Sequence, residues 1–151
     1  MIRPKLNEAL KNAMKAKDDI AVRTLRLILA ALKDRDIAAR TRGKTDGVED
    51  DEILALLQTM VKQRRESIQL YEQGGRLDLA EQEAAEIAVI QGFLPQQMDE
   101  AETRAAVEGL IAETGATGIK DMGRVMADLR ARYAGRMDFA KASGMVKAAL
   151  G

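Results

Sequence analysis

The chain has 151 residues, with 24 basic and 24 acidic side chains, two prolines, and no cysteine, histidine or tryptophan. Without cysteine there is no disulfide, thiolate nucleophile or zinc–thiolate site, and without histidine the commonest general base and transition-metal ligand are gone. At 46% hydrophobic and 32% charged the composition is that of a globular protein, and with only 3% aromatics its core must be aliphatic.

The zero net charge hides an uneven distribution. Residues 1–44 sum to +7, residues 45–77 to −3, residues 78–102 to −7 and residues 103–151 to +3. Basic ends around an acidic middle are one signature of nucleic-acid contact, and equally of solvated helices that differ in charge. No apolar stretch follows the first seven residues, and no apolar run approaches the ~18–20 residues of a membrane span, so a cytoplasmic location without membrane contact is expected.

Helix-forming residues dominate, and apolar residues recur at three- and four-residue steps. Residues 5–17 predict a first helix, with Leu6, Ala9, Leu10, Ala13 and Met14 on one face and Pro4 in its first turn. Asp18 or Asp19 separates it from a longer helix over 18–42, with Ile20, Leu25, Ile28, Leu29, Leu32 and Ile37 inward. After a turn at 43–48, four acids at 49–52 open a third helix to Gln73, which Gly74–Gly75 ends. A fourth helix is expected from Asp78, as cap, to the GFLP corner at 92–95.

Asp99 with Glu102 matches a capping box for a fifth helix that stops at Gly115. A sixth, over 118–134, carries Met122, Val125, Met126, Leu129 and Tyr133 on one stripe and ends at Gly135. Asp138 caps a last helix with Phe139, Ala142, Val146, Ala149 and Leu150 inward. No segment alternates with period two. The expected fold is all-α: a bundle of about four helices over 1–94, hinged at Pro95 to a small three-helix subdomain over 95–151.

Few residues suggest chemistry. Glu81, Glu83 and Glu86 lie on one helix, but without histidine they read as a solvated acidic face rather than a metal or acid/base site, and no metal or other cofactor is expected. Lys62, Arg64 and Arg65 form a basic knot, with Lys62 and Glu66 spaced for an ordinary helical ion pair. On the sixth helix, Lys120 and Arg124 stand opposite the apolar stripe while Arg130 and Arg132 flank it. The basic groups converge only towards the turn Gly135–Arg136, followed by Lys141 and Lys147, where a glycine lets backbone amides approach a phosphate.

Four stretches carry a resemblance: TLRLILAALKDRDI (24–37), KQRRESIQLYEQGGRLDLAEQEAAEI (62–87), FLPQQM (93–98) and DMGRVMADLRARYAGRMDFAKASGMVK (121–147). In order and spacing they resemble the GatB/YqeY family over nearly the whole chain. That family includes free-standing YqeY-like proteins and the tail of the GatB component of the glutamyl/aspartyl-tRNA amidotransferase, a carbon–nitrogen ligase with glutamine as amido donor. In that tail a similar Gly-x-Val-Met and Gly-Lys/Arg-x-Asn/Asp stand where residues 123–126 and 135–138 stand here. The resemblance implies an RNA-handling role, with tRNA as partner and Lys120, Arg124, Arg136, Lys141 and Lys147 as phosphate contacts.

The amidotransferase's catalytic domain has no counterpart in this sequence, nor is there a phosphate-binding Gly-x-x-x-x-Gly-Lys-Ser/Thr loop or a glutaminase nucleophile motif. No catalytic residue is therefore assigned and no autonomous catalysis is expected. Two further readings stand beside tRNA binding: an adaptor docking on an amidotransferase or aminoacyl-tRNA synthetase, and an amidotransferase component completed by another chain.

Overall fold

A computed structural model describes residues 1–151 as seven α-helices and one 3₁₀ turn, without strands. The chain forms two compact units, Met1–Leu94 and Pro95–Gly151.

The first unit holds α1 (Ile2–Ala16), α2 (Asp19–Arg40), α3 (Asp50–Gln73) and α4 (Leu77–Gln91). Asp18 caps α2 through its carboxylate, which accepts from the Ala21 N–H at 3.2 Å. Asp50, Asp51 and Glu52 occupy the first turn of α3, where the helix dipole favours negative charge. Gly74 and Gly75 end α3, and the Arg76 N–H bonds back to the Tyr71 carbonyl at 2.8 Å, so the chain reverses into α4. Leu6, Leu25, Ile28, Ile53, Leu57 and Ile90 from the four helices meet in the core with essentially no exposure. Each such burial stabilises the fold by about 1.5–3 kcal/mol.

Several expectations for this unit need correction. Ile20 and Ile37 point outward, 39% and 49% exposed, and Met14 of α1 is 45% exposed. The neighbouring helices cover only the side of α2 that carries Leu25, Ile28 and Leu32, so apolar residues elsewhere on its circumference stay in water. Asp78 does not cap α4. The helix begins a residue earlier, after Arg76, and Asp78 instead accepts from the Arg76 guanidinium at 3.2 and 3.1 Å.

A side-chain clamp holds the α2–α3 connection. Arg3 donates two bonds to the Asp36 carboxylate, at 2.8 and 2.6 Å, and a third to the Val48 carbonyl at 2.8 Å; Asp36 also accepts from the Val48 N–H at 2.9 Å. Gly47, at φ +91°, passes so close that a Cβ would stand 2.7 Å from both Arg3 Nη2 and Asp36 Oδ1. Only glycine takes both that conformation and that approach without strain.

The second unit holds α5 (Glu100–Thr114), a 3₁₀ turn (Ile119–Asp121), α6 (Met122–Tyr133) and α7 (Phe139–Leu150). Asp99 and Glu102 form a reciprocal capping box on α5. The 3₁₀ turn occupies the first part of the expected sixth helix, because Asp121 turns back to accept the Thr117 N–H at 3.0 Å and the Gly118 N–H at 3.4 Å. The three helices contact one another pairwise around Val107, Leu110, Val125, Leu129 and Val146. Ala149 lies on the exposed side of α7, whereas Met137, in the turn before α7, is fully buried.

Candidate nucleic-acid interface

The turn between α6 and α7 is built from Ala134 to Asp138. Gly135 takes φ +78°, a left-handed conformation that ends α6 at little cost for glycine. The Arg136 and Met137 N–H groups both bond back to the Tyr133 carbonyl, at 3.0 and 3.3 Å. Asp138 caps α7, accepting from the Ala140 and Lys141 N–H groups at 3.0 and 3.2 Å.

The segment before α5 grips this turn. The Met98 N–H donates to the Arg136 carbonyl at 2.8 Å, the Gln97 side-chain amide to the Gly135 carbonyl at 2.6 Å, and Arg136 Nε to the Gln96 carbonyl at 3.4 Å. With the side chain of Met137 buried beneath it, the turn is anchored from inside and outside. The amides of Arg136, Met137, Ala140 and Lys141 already bond within the chain.

The candidate basic residues divide into paired and unpaired groups. Arg132 forms a two-pronged pair with Glu113, at 2.9 and 2.8 Å, which raises the guanidinium's pKa and lowers that of the carboxyl. Arg124 pairs with Asp121 at 3.4 Å. Asp121's carboxyl is held below the usual range, chiefly by the N–H of Thr117, with that of Gly118 and the charge of Arg124 adding to it.

Arg130 and Arg136 have no carboxylate partner. The Arg130 guanidinium carbon lies 5.8 Å from the centre of the Phe139 ring, and that of Arg136 lies 6.0 Å from the Tyr133 ring. Lys120, on the 3₁₀ turn, Lys141, in the first turn of α7, and Lys147, in its last, are exposed and form no ion pair.

The eight residues do not gather in one place. Arg124 stands near the start of α6 and Gly135–Arg136 follow its end, separated by roughly 14 Å of helix rise. Arg130, Gly135 and Arg136 assemble at the turn, with Lys141 just beyond it. Sequence reasoning missed Arg104, which pairs with Glu100 at 3.4 Å on α5 and, with Lys141, Gly144, Met145 and Ala148, lines an open groove of about 400 Å³. Nothing local in the sequence marks Arg104, because the return of α7 against α5 brings it there.

A second charged cluster corrects the expected solvated acidic face. Glu86 is buried between α2, α3 and α4, accepting from Arg64 Nε at 3.2 Å and ion-paired with Arg23 at 3.2 Å. Glu83 lies 3.9 Å from the same Arg64 nitrogen, and its carboxyl is pushed up by burial first and by the Glu86 charge second, against the pull of Arg64. Arg64 also donates to the Met60 carbonyl at 3.3 Å. The arrangement satisfies its own charges and joins three helices, with Arg64, from the expected basic knot, turned inward. No set of three acidic side chains is close enough to hold a metal ion, and no helix is long and apolar enough to cross a membrane.

Comparison with known proteins places this architecture. A protein "altered inheritance of mitochondria protein 41, mitochondrial" from Lachancea thermotolerans is 34% identical over 110 residues, covering 72% of this chain and 57% of its own length. Its namesake from Pyrenophora tritici-repentis is 30% identical over 139 residues, covering 87% of this chain and 73% of that protein. A third of that name, from Eremothecium gossypii, is 36% identical over 89 residues, covering 59% of this chain and 46% of its own length. The chain thus spans between about half and three-quarters of the relatives it matches. The family model described as "Yqey-like protein" matches residues 3–150, and the chain belongs to the YqeY-like family.

Proposed function

We propose that this protein is a non-catalytic RNA-binding accessory module whose carboxyl-terminal unit holds tRNA by its phosphates. One observation carries the reading. The three ion pairs of that unit engage Arg104, Arg124 and Arg132, leaving Lys120, Arg130, Arg136, Lys141 and Lys147 without a carboxylate partner. Unpaired cations on a folded surface repel one another mildly and gain most from a polyanion, whose bound counterions they release. The resemblance to the tail of the tRNA-dependent amidotransferase points the same way, and the proposed partners are tRNA and, through it, an amidotransferase or aminoacyl-tRNA synthetase.

The test is a titration of tRNA at rising salt with the wild type, Arg136→Glu and the double variant Lys141→Glu/Lys147→Glu. Affinity is expected to fall steeply with salt, with a shallower slope for each variant. Absence of binding at low salt, or indifference to charge reversal, removes the reading.

A protein adaptor is the second reading. It is favoured by Leu70 and Leu77, 68% and 62% exposed on either side of the α3–α4 turn. A partner captured through this turn should persist after nuclease treatment and be lost in Leu70→Ser/Leu77→Ser. The cytoplasm is the proposed location, the mitochondrial names of the relatives set the alternative, and cell fractionation decides between them.

A further inference from the structure

Resting on the RNA-binding reading, we infer that the α6–α7 turn is a stacking site for unpaired nucleotides, not a general phosphate contact. The two aromatic rings of the carboxyl-terminal unit, Tyr133 and Phe139, both flank this turn, and an arginine lies over each. These are the two arginines of the unit that no carboxylate holds, whereas Arg104, Arg124 and Arg132 are each paired with an acid.

A guanidinium carbon about 6 Å from a ring centre is within reach of the ring's attraction for a cation, and guanidinium and ring are both flat groups side by side at this turn. Planes of this kind offer surfaces on which a base can stack, and each base brings a phosphate for the arginine's charge to meet. Lysine has no plane to offer, so the choice of arginine at these two positions has a chemical consequence. Asp138, the acid nearest to Arg136 in sequence, is engaged in capping α7 and does not hold the guanidinium.

The rest of the turn fits a base-binding role. Arg136 Nε donates a long bond, 3.4 Å, to the Gln96 carbonyl, which biases the guanidinium's orientation. Gln96 itself is exposed, and its side-chain amide adds a donor and an acceptor beside Arg136 for a base edge. Gln97 holds the Gly135 carbonyl and so positions the loop that carries Arg136. A duplex buries its base faces and offers only phosphates and groove edges, so these features favour single strands, loops or bulges.

The experiment compares a ten-nucleotide oligoadenylate with an RNA duplex of equal phosphate number, at one salt concentration. The proteins are the wild type, Arg130→Lys/Arg136→Lys, Tyr133→Leu and Tyr133→Phe. The lysine variant keeps the charge and removes the planes. Its affinity for oligoadenylate is expected to fall at least about fivefold, the lower end of what losing one stacked base costs, with duplex affinity unchanged. Tyr133→Leu should behave likewise and Tyr133→Phe should retain wild-type binding, with circular dichroism confirming that each variant folds.

Equal affinity of the wild type for strand and duplex, or equal losses on both in the lysine variant, overturns the stacking site and leaves phosphate binding standing. Failure of the wild type to bind either RNA at low salt overturns the underlying RNA reading, and the stacking site with it.

Discussion

The side-chain amide of Gln97 donates to the carbonyl of Gly135 at 2.6 Å, joining residues 38 positions apart in the chain. The same amide donates to the Pro95 carbonyl at 2.9 Å, so one glutamine ties the start of the carboxyl-terminal unit to the turn that carries Arg136. The turn is therefore held by a segment that lies outside both of the helices it connects.

Gln97→Ala removes that tie and leaves the Gly135 carbonyl to find water. A single hydrogen bond of this kind contributes about 1 kcal/mol, which for a unit of this size corresponds to roughly 4–8 °C in melting temperature. Hydrogen exchange at the Arg136 and Met137 amides should accelerate more than exchange in the middle of α5. Unchanged protection there would mean that the Met98–Arg136 bond and the buried Met137 suffice.

Glu86→Gln leaves Arg64, only 14% exposed, without its nearer carboxylate and with only Glu83, 3.9 Å away, to meet its charge. Breaking a buried pair from one side typically costs about 3–5 kcal/mol, and the Arg23 bridge to Glu86 is lost with it. Replacing the pair together, as Arg64→Met/Glu86→Leu, should recover most of the loss. Urea denaturation of the three proteins checks this, and a double variant as unstable as the single would show that the charges themselves are required.

Glu83 and Asp36 should respond to pH in opposite directions. Burial raises the Glu83 pKa in the fold, so protonation favours the folded state; the fold gains from it below the ordinary carboxylate pKa and loses that gain as pH rises through the raised value. Glu83→Gln should therefore be more stable than the wild type at neutral pH, with the difference vanishing on acidification. Asp36 is lowered, first by the Arg3 hydrogen bonds, so its contribution is present above the ordinary carboxylate pKa and lost as pH falls through the lowered one. Asp36→Asn should destabilise the fold most at neutral pH. Thermal melts between acid and neutral pH measure both.

Gly47→Ala places a methyl group against the Arg3–Asp36 clamp at a backbone angle that disfavours a side chain. The left-handed conformation alone costs roughly 1–2 kcal/mol, and displacing the clamp adds to it. Gly43→Ala, also left-handed at φ +83° but in open space, should show the conformational cost only. Equal losses for the two variants would mean that the clamp yields freely.

Arg132→Gln should reduce tRNA affinity less than Arg136→Gln, although both remove one positive charge from the same short stretch. Arg132 is already engaged by Glu113, and its loss frees a carboxylate, whereas Arg136 has no acid to release. Paired titrations at one salt concentration distinguish them, and equal effects would argue for a diffuse field over a local contact.

The helices were legible in the residues because their determinants are local. Asp18, Asp99 and Asp138 cap α2, α5 and α7 through bonds to amides within three positions, and the α3 and α6 terminators are glycines that end those helices where expected. The apolar stripe of Val125, Met126 and Leu129 also reads directly, since a period of 3.6 residues puts them on one face. What the sequence by itself determined was thus the all-α class and most helix ends.

The tertiary structure alone decided which faces and which charges are buried. Ile20 and Ile37 are as apolar as Ile28, yet only Ile28 is buried. Glu86 sits in an acidic stretch that reads as solvated, and its burial depends on Arg23 and Arg64, 63 and 22 positions away in sequence. The division of the basic residues was equally hidden, because whether an arginine faces Glu113 or an aromatic ring depends on how helices return on one another. Caps and periodicity act over one turn of helix, whereas ion pairing and burial act through space, and only the folded chain brings distant residues within that range.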